Sequence, residues 1–159
     1  MHNDNLVSVI IPARNEKYLD KTVNDILSKA TGEIEVIVIL DGYWPNPKLP
    51  DNDKLILIHR GTSLGMRSSI NAGVAIARGK YLLKCDAHCM FAPAFDETLK
   101  SDCKPKSIYI PRRFALNAEK WQVEENPKYP IDYMYLSPDL HGEVWTEKNK
   151  DPNLKEKLI

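Results

Sequence analysis

The sequence predicts an α/β domain, a mostly parallel sheet with helices on both faces, followed by an irregular proline-rich region. Three observations predict it. Strand-length apolar runs alternate with helix-period stripes over about the first hundred residues, each apolar run stops at a polar turn, and the alternation ends after Pro111. A sheet of this kind binds its ligands beyond the carboxyl ends of the strands.

The first run, Leu6 to Ile11, is apolar and largely β-branched, as expected of a strand covered on both faces, and it stops at Pro12. From Lys17 to Ala30, Leu19, Val23, Ile26, Leu27 and Ala30 recur at spacings of three and four, one apolar helical stripe, with Gly32 just beyond. Glu33 to Leu40 repeats the buried-strand pattern and ends at Asp41-Gly42. Pro45, Pro47 and Pro50, mixed with Asn46, Asp51 and Asn52, then require a loop. Leu55 to His59 reads as a third strand. A second helix is expected over Met66 to Arg78, with Ile70, Val74 and Ala77 on one side and Gly79 as its terminator. The helix feeds a buried fourth strand, Tyr81 to Cys85. A short helix over Phe95 to Leu99 and a strand over Ser107 to Ile110 complete the predicted elements.

Beyond Pro111, Pro127, Pro130, Pro138 and Pro152 punctuate a stretch without sustained periodicity. The expected organisation is an α/β domain over 1–111 and an extension over 112–159 that has too little aliphatic content for a core of its own and reads as the beginning of a truncated region.

Composition narrows the partners. Of 159 residues, 43% are hydrophobic, and 22 basic side chains balance 22 acidic ones, so no global field favours nucleic acid or anionic lipid. No apolar run approaches the roughly 18 residues of a membrane span, and the N-terminus lacks a signal-peptide pattern. Cys85, Cys89 and Cys103 do not form a disulfide framework. A cytoplasmic location is the resulting expectation.

The chemistry concentrates at Asp86-Ala87-His88. In an extended backbone, residues i and i+2 project from the same face, so Asp86 and His88 converge in front of the strand end. A hard carboxylate with a borderline imidazole suits manganese, and less neatly magnesium, with coordination positions left for a diphosphate. Two other readings stand beside this one. Asp and His also occur after strands as ordinary loop residues, and Cys85, Asp86, His88 and Cys89 together contain the donor types of a zinc site. Against zinc, neighbours along a strand end alternate in direction, and Cys85 then points into the core.

Four blocks in order, Leu6-Val-Ser-Val-Ile-Ile-Pro-Ala-Arg-Asn-Glu16, Glu35-Val-Ile-Val-Ile-Leu-Asp-Gly42, Gly65-Met-Arg-Ser-Ser-Ile-Asn-Ala-Gly73 and Ala77-Arg-Gly-Lys-Tyr81 running on to Asp86-Ala-His88, resemble the Rossmann-like nucleotide-binding half of a GT-A glycosyltransferase of the family 2 type. The Asp-x-His variant is similar to the polypeptide N-acetylgalactosaminyltransferases, in which that pair binds manganese against the diphosphate of a UDP-sugar. The resemblance implies a nucleotide-diphosphate sugar donor, with UDP-sugar as the expected form, and an acceptor that is a glycan, a protein or another molecule. Pro12, Ala13, Arg14, Asn15 and Glu16 would form the loop that holds the nucleoside, Asp41 would face the base, Arg67 would lie near the nucleotide, and Asp86 and His88 would bind the metal.

The chain also departs from that pattern. Leu40 stands where an acidic residue is usual, and no downstream segment supplies the catalytic base or the Trp-Gly-Gly-Glu-like element of the acceptor half. His141 is a candidate third ligand and equally an exposed histidine. A non-catalytic UDP-sugar-binding module is the alternative reading. A nucleotidyltransferase or pyrophosphatase-like enzyme is disfavoured, since no Gly-rich phosphate loop with a lysine is present.

Overall fold

The computed structural model describes residues 3–111, 113–124, 134–139 and 141–144. The chain divides into two compact units, Met1–Cys103 and Lys104–Ile159.

The first unit is an α/β sheet domain. Its elements run β1 (Asn3–Ala13), α1 (Leu19–Lys29), β2 (Ile34–Asp41), β3 (Leu55–Arg60), α2 (Met66–Ile76), β4 (Gly79–Lys84) and α3 (Phe95–Asp102). The four strands pair in the order β3-β2-β1-β4, parallel throughout. The chain crosses from β1 through α1 to β2 in one direction and from β3 through α2 to β4 in the other, and the right hand general to such crossovers puts α1 and α2 on opposite faces.

Every residue of β2 is buried, as its unbroken apolar run requires. Ile10, Ile37 and Ile39 form a cluster against which the partly buried Ile56, Ile58 and Ala77 pack, and each of the three fully buried isoleucines contributes about 1.5–3 kcal/mol of burial free energy. α1 buries Leu19, Val23 and Ile26 of the expected stripe together with Thr22, while Leu27 and Ala30 are only half-buried. Glu35, buried in the central strand, is satisfied by Ser8 Oγ (2.6 Å), Arg78 N (2.7 Å) and Arg78 Nε (2.8 Å), which tie the start of β4 to the middle of the sheet.

Three expectations are corrected. Among the described residues the strand before Asp86 is an edge strand and not a buried one: Leu82 is 53% exposed, and Lys80 and Lys84 face solvent. Gly79 does not terminate α2, which ends three residues earlier. It opens β4, where a Cβ would stand 2.5 Å from Leu6 O and 2.7 Å from Ser8 Oγ, so only glycine allows the close strand approach. The buried face of α2 is Ser69 and Gly73, while Val74 is exposed, because small residues let the helix lie close to Ile10 and Ile39.

The described part of the second unit contains two small antiparallel hairpins, β5 (Leu116–Asn117) with β6 (Gln122–Val123) and β7 (Met134–Leu136) with β8 (Gly142–Val144). The strand expected over Ser107–Ile110 does not form, and Ile108 and Ile110 are largely exposed. An apolar alternation has β propensity only where a neighbouring strand completes its ladder. Pro127, Pro130 and Pro152 lie outside the described residues.

Candidate functional site

The loops at the carboxyl edge of the sheet carry the candidate residues. After β1 the chain turns through Arg14, Asn15 and Glu16, with Asn15 in the left-handed region (φ 54°), a conformation that asparagine tolerates at modest cost. Pro12 and Ala13 remain in the last turn of the ladder, opposite Ile39 and Leu40. Arg14 and Asn15 are exposed and Glu16 is half-buried.

β4 ends at Lys84, so Asp86 and His88 lie in a turn and not on an extended strand. Their outward placement survives for another reason: Ala87 is buried between them, while each of the two side chains is 53% exposed. The turn is held on both sides. Cys85 N donates to Ile10 O (3.3 Å), Cys89 N to Thr22 Oγ1 (3.0 Å) and Phe91 N to Asp25 Oδ2 (2.7 Å), fastening the segment to β1 and α1.

The two candidate ligands have different partners. Asp86 pairs with Lys84 through Oδ1. His88 Nδ1 lies 3.2 Å from Glu16 Oε2. A carboxylate accepts only, so Nδ1 donates, and in the neutral imidazole Nε2 then carries the lone pair. A carboxylate behind an imidazole is the usual support of a metal-binding histidine. An exposed carboxylate and an exposed imidazole two residues apart are donor types that suit a divalent cation. Among the described residues no group of three or more His, Cys, Asp or Glu side chains converges, and the four-ligand zinc arrangement does not form. Cys85 is buried in the core, a free thiol hydrogen-bonded to the free thiol of Cys89. That contact pushes the Cys85 thiol up and holds Cys89 down at about 7, burial acting upward on both.

Asp41, at the end of β2, is only 3% exposed. It accepts from Arg60 Nη1 (3.2 Å), Ser63 Oγ (2.7 Å), Leu64 N (2.9 Å) and Gly65 N (2.9 Å). Burial pushes its carboxyl up, but the donors from Leu64, Ser63, Gly65 and Arg60 outweigh it and hold the group well below the usual carboxylate range. Arg67 is exposed in the first turn of α2, whose N-cap is Gly65 and whose first turn carries no acidic residue. His141 belongs to the second unit, exposed, with Nδ1 2.9 Å from Asp139 Oδ2.

Sequence reasoning missed Arg60, Tyr43 and Trp44. Tyr43 has an enclosed hydroxyl beside the Glu16 backbone that reaches no hydrogen-bond geometry, and burial pushes its phenol up to about 12. Trp44 is 74% exposed and stacks on His59 with ring centroids 3.8 Å apart. Periodicity does not single these out, because they follow strands as isolated residues. The position of Arg60 at a strand end was the one available signal.

Residues 8–154 match the family described as Glycosyl transferase family 2. An uncharacterized glycosyltransferase of Haemophilus influenzae is 33% identical over 106 residues, covering 62% of this chain and 33% of that protein. The chondroitin synthase of Pasteurella multocida is 30% identical over 115 residues, covering 68% of this chain and 12% of that protein. A crystal structure of S. aureus TarS 1-349 is 28% identical with a TM-score of 0.47, covering 60% of this chain and 30% of that one. The chain spans about a third of the length of the first curated relatives it matches (33% and 37%).

Proposed function

The chain belongs to glycosyltransferase family 2, and from that premise we propose that its first unit is the donor-binding half of a metal-dependent glycosyltransferase that uses a nucleotide-diphosphate sugar, with UDP-sugar as the expected donor. The observation that carries the reading is the bond from His88 Nδ1 to Glu16 Oε2. It joins the loop after β1 to the turn after β4, so the expected nucleoside loop and the expected metal pair form one site.

In this reading Pro12, Ala13, Arg14, Asn15 and Glu16 line the nucleoside, and Asp86 and His88 hold manganese or magnesium. A bound divalent ion supplies Lewis-acid stabilisation of the charge that develops on a departing diphosphate. Glu16 fixes the imidazole and directs Nε2 outward. Arg67, with the N–H groups of the first turn of α2, adds positive potential where an anion would lie. The Asp-x-His likeness to the N-acetylgalactosaminyl enzymes belongs to the same proposal, and so does an acceptor of glycan or protein type.

Calorimetric titration of UDP with and without manganese tests it. Binding that tightens on adding the metal is expected, and equal binding in both conditions would remove the metal from the reading. The same geometry serves a non-catalytic UDP-sugar-binding module; release of UDP from the donor sugar separates an enzyme from that module.

A further inference from the structure

The segment 61–65, between β3 and α2, has no regular structure and no apolar anchor, and Leu64 points largely into solvent. Hydrogen bonds hold it instead. Asp41 ends β2 and Arg60 ends β3, directly opposite each other in the ladder. Oδ1 of Asp41 accepts from Arg60 Nη1 and Leu64 N, and Oδ2 accepts from Ser63 Oγ and Gly65 N. Arg60 continues into α2, donating through Nη1 to Ser69 Oγ (3.3 Å) and through Nη2 to Ser68 O (2.9 Å). Gly42, at φ 83°, lets the segment lie flat on the end of β2, since a Cβ there would stand 2.8 Å from Ser63 N.

A carboxylate offers about four lone-pair directions, and four donors already occupy those of Asp41. No acceptor direction remains for an N–H of a nucleobase. Everything Asp41 touches instead leads to the start of α2, two residues before Arg67.

We propose that Asp41 and Arg60 are positioning residues, a clamp that fixes residues 61–65 and so aims Arg67 and the first turn of α2 at the diphosphate of the donor, while the base is read elsewhere. The clamp's role in binding rests on the donor-site reading above. Its substrate consequence is specific: losing the clamp weakens recognition of the diphosphate and spares recognition of the nucleoside.

Uridine and UDP, titrated in the presence of manganese against the full chain and its Asp41→Asn, Arg60→Lys and Ser63→Ala variants, read the two parts separately. Asp41→Asn is expected to lose about tenfold in UDP affinity, the worth of one hydrogen bond to a charged group, and to keep uridine affinity within about twofold. Arg60→Lys and Ser63→Ala follow with smaller losses of the same kind, and they leave the buried carboxylate partnered, so they decide the matter if Asp41→Asn does not fold. Equal loss of uridine and UDP would make Asp41 a base contact and overturn the clamp, as would no change in any variant. Amide hydrogen exchange reports the clamp without a ligand: Leu64 and Gly65 are expected to be protected in the parent and to open in Asp41→Asn, and unchanged protection overturns the clamp alone. A parent chain that binds no UDP overturns the donor-site reading and takes the clamp's binding role with it.

Discussion

Asp41 and Asp86 stand at the same edge of one sheet, yet one is closed and the other open. Asp41 is 3% exposed with four donors on its two oxygens; Asp86 is 53% exposed with one lysine partner. Strand order makes the difference. β2 lies between β1 and β3 and ends under a loop that folds back over it, whereas β4 is an edge strand whose end emerges into solvent. A carboxylate of the first kind holds the protein together, and one of the second kind is available to a ligand.

Stability is where the two differ most. Asp41→Ala leaves Arg60 and two loop N–H groups without their acceptor and is expected to cost about 3 kcal/mol, against less than about 0.5 kcal/mol for Asp86→Ala, measured by urea unfolding. Similar losses in the two variants would break the contrast. Binding is expected to reverse the order. His88→Ala removes most of the metal-dependent gain in UDP affinity, and Glu16→Gln weakens it by about tenfold through the imidazole it orients; a full metal effect in Glu16→Gln would show that the bond to His88 is incidental.

The pH dependence sharpens the comparison further. The folded carboxyl of Asp41 is held below its unfolded value of about 3.9, so its contribution is complete above that value and is lost as pH falls through it toward the folded pKa. Thermal unfolding against pH should therefore show a shallower acid limb in Asp41→Asn, leaving the part due to Glu35, whose carboxyl is also held low: burial pushes it up, and hydrogen bonds from Ser8 and Arg78 outweigh that. Parallel acid limbs would count against the buried network. The smallest effect is at Lys84, whose ammonium competes for Asp86. Lys84→Met should tighten manganese binding by about threefold, since an exposed charge pair is worth under about 1 kcal/mol, and weaker binding would mean the lysine serves the ligand instead.

Much of this architecture was legible along the chain. The unbroken run Ile34 to Leu40 announced a strand covered on both faces, and the Leu19, Val23, Ile26 stripe announced α1, because each pattern is the direct imprint of burial on one element. The run Tyr81 to Cys85 misled for a related reason. Its apolar residues would suit either a central or an edge strand, and only the pairing shows which it is: among the described residues β4 pairs with β1 alone. Gly79 reads equally as a helix stop or a strand contact until Leu6 O is found beside it. Arg60 stood out only by its place at a strand end, where an arginine is normally solvated, and its role comes from Asp41, nineteen positions earlier.

By itself the sequence determined the order of elements through α3, the parallel sheet, the family resemblance and most of the polar residues at the strand ends, since periodicity and motif blocks are local and survive in one dimension. The tertiary structure alone decided which of those residues are occupied and which are free. Hydrogen-bond capacity is spent between residues far apart in the chain: Asp41 spends its capacity on Arg60 and on the segment from Ser63 to Gly65, while His88 spends its Nδ1 on Glu16, across 72 positions.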